Sequence, residues 1–131
     1  MDIFATFATD EKSESEGQWF PLGKTAKVLV ARSGNPAYTA ALRKALDKNS
    51  MALEGVGPDQ DFLAETLMVD VMSSTVLLGW EDLSFMGKKA EYSPEMAKTL
   101  LRVKDFRKKI VGFSDNFEAF RVKAEVAQGN A

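Results

Sequence analysis

The stretch from Asp59 to Gly79 constrains the fold more than any other part of the chain. Its large apolar residues are Phe62, Leu63, Leu67, Met68, Val69, Val71, Met72, Val76, Leu77 and Leu78. They cover more than one stripe of a helix, and such a helix must be packed on more than one side. The pattern predicts a central, most buried helix. Asp59 and Asp61 suit the positive end of its first turn, and Gly79 serves as its C-terminal stop.

Other elements arrange themselves around that helix. Trp19-Phe20-Pro21-Leu22 and the Val-rich Thr25–Arg32 segment read as two strands joined through the Leu22-Gly23-Lys24 turn, a hairpin too small to be stable alone. Asn35-Pro36 is a helix start, with Asn capping the exposed amides and Pro at the first helical position. The helix it opens runs to about Lys48, with Tyr38, Ala41, Leu42 and Leu46 turned inward. Residues 49–58 form a connector. Trp80 to Tyr92 is a non-helical excursion with a turn near Gly87, and Ser93-Pro94-Glu95 restarts a helix carrying Met96, Leu100 and Leu101. In the last helix Val103, Phe106, Ile110, Phe113, Phe117, Phe120 and Ala124 recur at alternating spacings of three and four, a heptad-like seam. Residues 9–17 are polar and aperiodic and read as a mobile loop, and residues 125–131 as a fraying tail. The expected fold is α+β, mainly α: a single domain over residues 1–131, helical with a short N-terminal β-hairpin. The 131 residues are one domain's worth by the usual ~100–200 residues per domain.

Composition removes most catalytic chemistry. With no Cys and no His there are no thiol nucleophiles, disulfides, imidazole bases or Cys/His zinc sites. The sequence offers no phosphate-binding glycine loop and no cofactor motif, so most of the common catalytic toolkit is absent. Met1-Asp2-Ile3-Phe4-Ala5 lacks the basic start of a signal peptide, and no apolar run reaches the ~18 residues of a membrane span. The expectation is a soluble, intracellular chain.

Net charge is −2, yet it is unevenly placed: residues 47–82 hold eight acids against one base, and residues 83–131 ten bases against six acids. Asp59, Asp61 and Glu65 could hold a divalent ion for hydrolysis, but they lack calcium-loop spacing, and acids in a helix's first turn are the simpler reading. Asp70 reads as an acid on the wetter side of its helix. Lys104, Arg107, Lys108 and Lys109, interleaved with Phe106, could touch phosphates and make a small nucleic-acid-binding module. A solvated helix face is the simpler reading of these four as well, so nucleic acid is disfavoured as a partner. The phenylalanine seam is either an edge of the core or a ridge for a partner helix, with core favoured in so small a domain.

Taken in order, several local motifs resemble the tail assembly chaperones of long-tailed, lambda-like bacteriophages. They are Gly17-Gln18-Trp19-Phe20-Pro21-Leu22-Gly23 leading into Val28–Arg32; Asn35-Pro36-Ala37-Tyr38; Leu78-Gly79-Trp80-Glu81-Asp82-Leu83; Tyr92-Ser93-Pro94-Glu95-Met96-Ala97 with Leu100-Leu101; and Phe106 through Ile110-Val111 to Asp115-Asn116-Phe117. The resemblance spans about Gly17 to Phe120. Relatives often carry Asp-Gly in the turn where this chain has Met86-Gly87-Lys88. The resemblance implies a non-enzymatic protein of the host cytoplasm, absent from the mature virion. It would bind the tape measure protein, keep it soluble and help tail tube subunits polymerise around it. It also implies a longer product, made by a −1 ribosomal frameshift, that recruits the tube protein. Gln128-Gly129-Asn130 can be encoded CAG-GGA-AAC, which contains a slippery heptamer. Self-association is left open.

The expected partner surface is the Trp80–Tyr92 excursion with the adjacent end of the phenylalanine helix: Trp80, Leu83, Phe85, Met86, Phe117 and Phe120. Leu83, Phe85 and Met86 are apolar residues in a loop with no periodic reason to hold them. Met68, Met72 and Met96 also offer adaptable side chains, with core filling as the simpler role.

Overall fold

The computed structural model describes residues 1–122. In chain order the elements are α1 (Ile3–Phe7), α2 (Glu11–Glu16), β1 (Gln18–Pro21), β2 (Lys27–Val30), α3 (Pro36–Lys48), α4 (Pro58–Thr75), β3 (Leu77–Glu81), β4 (Ser84–Phe85), β5 (Lys88–Lys89), α5 (Pro94–Leu101), α6 (Lys104–Ser114) and α7 (Phe117–Phe120). The fold is mixed α/β and mainly helical with an N-terminal strand hairpin, as expected. Ala124 of the seam, the 125–131 tail and Gln128-Gly129-Asn130 lie outside the described residues.

The hairpin forms for local reasons. Gly17 enters β1 at φ +90°, a conformation that favours glycine, and a Cβ there would sit 3.1 Å from the Leu29 side chain, a tight contact. Along β2 the side chains alternate, with Val28 and Val30 buried and Lys27 and Leu29 facing out. Phe20 on β1 lies opposite Val28 and is buried with it.

The hairpin's stability comes from a third strand that the sequence pattern hides. The central helix was expected to continue through Leu78 and stop at Gly79; instead α4 stops at Thr75, and β3 pairs antiparallel with the free edge of β2. Lys27 faces Glu81, Val28 faces Trp80, Leu29 faces Gly79 and Val30 faces Leu77, which leaves Leu78 as an inserted residue. That bulge shifts the alternation by one, so Leu77 and Trp80 both point into the core although three positions separate them. Gly79 is thus a strand residue over Leu29, and not a helix stop.

Asn35 fastens the helical layer to this sheet. Its Oδ1 accepts the Tyr38 amide at 3.0 Å, capping α3. Its Nδ2 donates to the carbonyls of Arg32 at 2.8 Å and Thr75 at 3.0 Å, joining the start of α3 to the end of α4. The expected span Pro36–Lys48 holds, but the expected inward face does not. α3 buries no residue: Tyr38, Ala41 and Leu42 are half-buried along α4, and Leu46 is exposed. α4 is central only in its second half, where Val69, Val71, Met72, Ser73 and Thr75 are buried, while Phe62 is 70% exposed.

Two further expectations are corrected. Residues 9–17 are not a loop: Asp10 caps α2 by accepting the Lys12 amide, and Glu14 holds Arg32 through both its backbone carbonyl and its carboxylate. The phenylalanine seam is not one helix, because Asp115-Asn116 ends α6 and α7 restarts as a single turn. The chain folds back so that Phe113 and Phe120 both reach Phe20, at ring separations of 4.6 and 6.2 Å. Ser114, fully buried, donates to the Ala31 carbonyl at 2.8 Å and pins the end of α6 to β2.

Replacing Asn35 by Ala removes a cap and strands the buried Thr75 carbonyl, and is expected to cost about 2–3 kcal/mol. Urea unfolding checks this; a loss below about 0.5 kcal/mol, well under the usual cost of a lost cap, would show that Asn35 does not join the two layers.

Candidate partner-binding surface

Chain direction after β3 is set by a sequence of anchors. Asp82 takes φ 60°, a conformation Asp tolerates, and its carboxylate accepts a hydrogen bond from the Thr25 hydroxyl in the β1–β2 turn. The chain then makes a two-residue hairpin, with Ser84 opposite Lys89 and Phe85 opposite Lys88. Its base is closed by the Ala90 amide donating to the Leu83 carbonyl at 2.9 Å.

Trp80 and Tyr92 hold that base to the core. The Trp80 Nε1–H donates to the Ala90 carbonyl at 2.7 Å, and the Tyr92 hydroxyl donates to the Leu77 carbonyl at 3.0 Å. The two rings meet edge-on with centroids 4.8 Å apart and an interplanar angle of 72°. Burial pushes the Tyr92 phenol above the ordinary tyrosine range, so its hydroxyl remains a donor at neutral pH.

The expected partner residues divide four ways. Trp80 is 7% exposed and Phe120 fully buried, so both are core residues and are corrected from the surface role expected of them. Leu83 and Phe85 are half-buried and packed on the core. Met86 stands at the hairpin tip, 87% exposed, between Phe85 and the exposed Lys88 and Lys89. Phe117 is half-buried and belongs elsewhere: its ring lies 5.8 Å from Phe7 of α1. Phe120 sits by Phe20 on β1, while Trp80 lies on β3; these are the two outer strands of the sheet. The hairpin and the end of the phenylalanine region are therefore carried by different edge strands of the sheet.

Other candidates also find their places. Glu65 pairs with Arg107 at 3.3 Å, and among the described residues no group of three acids converges to hold a metal ion. Asp70 is on the wetter side of α4, 3.9 Å from Lys98. Lys104, Lys108 and Lys109 are exposed on α6, whereas Arg107 also donates to the Leu101 carbonyl. Met72 is buried, and Met68 and Met96 pack against the core. No helix among the described residues is long and apolar enough to cross a membrane.

Residues 33–130 match the family described as YdaY prophage protein. The chain belongs to that family. It is a phage-derived protein. No curated protein and no solved structure matches it. The YdaY match begins just after β2 and includes α3, α4, β3 and the Met86 hairpin.

In this YdaY chain the tip is also where the backbone is least comfortable. Met86 has φ 53° and Gly87 φ 82°, the pair of positive values that a tight hairpin turn requires. Asn-Gly or Asp-Gly is the usual solution, and methionine at the first position is strained. The strained residue is also the most exposed of the three apolar loop residues that sequence singled out. Met86→Asn is expected to raise stability by about 0.5–1 kcal/mol. Thermal or urea unfolding checks it, and an unchanged or lower stability would show that the turn carries no strain at this position.

Proposed function

We propose that this YdaY-family protein is a phage tail assembly chaperone that binds the tape measure protein. The reading joins the phage origin of the family to the ordered motifs from Gly17 to Phe120 that resemble such chaperones. The observation that carries it is Met86, an exposed and strained apolar residue at the tip of a firmly anchored hairpin. A tape measure protein is a very long, helix-rich chain whose apolar stripes aggregate when bare. A methionine tip over half-buried Leu83 and Phe85 is a surface that adapts to such stripes.

On this reading the protein works without catalysis, cofactor or metal. It acts in the host cytoplasm and leaves before the virion matures. A longer product of the same gene, made by frameshifting, recruits the tail tube protein.

Co-expression with the tape measure protein of the same phage tests the proposal. The expected result is a soluble complex that co-elutes on size exclusion, with tape measure insoluble when expressed alone. Phe85→Asp with Met86→Asp is expected to lose most of the co-elution while the far-ultraviolet circular dichroism stays native. Tape measure that stays insoluble beside well-folded chaperone would overturn the reading, and steeply salt-dependent DNA binding would replace it with a nucleic-acid role for Lys104 to Lys109.

A further inference from the structure

One flank of α3 carries a groove that the hairpin reading does not use. Ala41 and Ala45 of α3 and Leu67 and Val71 of α4 make its apolar floor, at a spacing of one turn on each helix. The two alanines keep the groove open, because neither side chain extends beyond its Cβ. Lys44 and Lys48 border it on the α3 side, and Asp70 and Ser74 on the α4 side. Asn35 joins the start of α3 to the end of α4, so the two walls run antiparallel. From Ala41 to Asn49 the α3 wall extends about 12 Å at ~1.5 Å per residue, a little over two helical turns.

The shape of the groove selects a helix as its occupant. Backbone N–H and C=O groups of both walls are bonded within their own helices, so an extended segment laid between them would leave its own backbone unpaired; a helix arrives with its backbone satisfied. The charge of the groove selects an acidic one. Lys44 and Lys48 are exposed one turn apart, and among the described residues neither makes an ion pair. Like charges at this spacing weaken a helix by themselves, and carboxylates one turn apart on a facing helix relieve them. Asp70 across the groove is engaged elsewhere, 3.9 Å from Lys98 of α5.

We propose that this groove docks an amphipathic helix of another protein, one whose apolar stripe is edged by carboxylates one turn apart. The carboxylates face Lys44 and Lys48, the stripe covers Ala41, Ala45, Leu67 and Val71, and the edge toward Asp70 is free of acids. No residue of the Met86 hairpin takes part, so the inference stands or fails separately from the tape measure reading.

Two short synthetic helices rich in Ala and Leu test it. One carries Glu and the other Lys at one-turn spacing along one edge, with Gln on the opposite edge of both. Each is titrated into the isotope-labelled full chain and followed by the amide resonances. The Glu helix is expected to bind and to shift residues 41–49 and 67–74 while residues 83–89 stay unchanged, and the Lys helix to bind at least ~10-fold more weakly. Lys44→Glu with Lys48→Glu is expected to reverse that preference. Ala45→Phe keeps both lysines but fills the floor, and is expected to lose most of the binding while the circular dichroism stays native. A Glu helix that does not bind, equal binding of the two helices, or an Ala45→Phe chain that binds as well as wild type overturns the proposal. A single-stranded oligonucleotide that shifts the same amides at lower concentration than the Glu helix also overturns it, and assigns the two lysines to phosphate.

Discussion

Pairing of β3 with β2, and above all the bulge at Leu78, is the constraint on which the rest of this structure depends. Without the inserted residue, Leu77 and Trp80 would fall on opposite faces of the sheet. With it, both enter the core, and the consequences spread in two directions. Toward the N-terminus, the marginal β1–β2 hairpin gains a third strand and Phe20, Val28 and Val30 gain something to pack against. Toward the C-terminus, Trp80 becomes the fixed point to which Ala90 and Tyr92 are tied, so the short β4–β5 hairpin stands on the core and does not hang from a flexible loop.

This arrangement separates support from contact. Trp80 and Tyr92 do their work from beneath, while Met86 is displayed in a backbone conformation that methionine disfavours. Strain at an exposed tip survives when the surrounding anchors over-determine it, as the Thr25–Asp82, Leu83–Ala90 and Trp80–Ala90 contacts do here. A second set of exposed apolar residues, Met51, Val56 and Phe62, lies in the connector and the first turns of α4.

Much of the fold was legible where the chemistry is local. Asn35-Pro36 and Ser93-Pro94 mark helix starts because cap and proline act within one turn, and both caps are made as expected. The turn at Gly87 and the β1–β2 hairpin are equally local. β3 was not legible, because Val76-Leu77-Leu78 satisfies a helical stripe as well as a strand and only the free edge of β2, more than forty residues earlier, decides between them. α2 lacks apolar periodicity and was signalled only by its capping Asp10 and first-turn acids. The seam counted through Asp115-Asn116 as though spacing alone could carry a helix past two poor helix formers. For the site, Leu83, Phe85 and Met86 were legible as apolar residues in a loop. The burial of Trp80 and Phe120 was not, since it arises from which strands lie beside them.

On the proposed function, the hairpin held by Trp80 presents Met86 to a helical phage partner. Amide hydrogen exchange of the chain, free and with a soluble helical segment of the tape measure protein, tests it most directly. In the free chain the amides of Trp80 and Ala90 should exchange slowly, at the rate of the core, and those of Met86 and Gly87 quickly. On binding, the account predicts new protection concentrated in residues 83–89. Fast exchange at Ala90 in the free chain, or protection that appears elsewhere while residues 83–89 are unchanged, would contradict it.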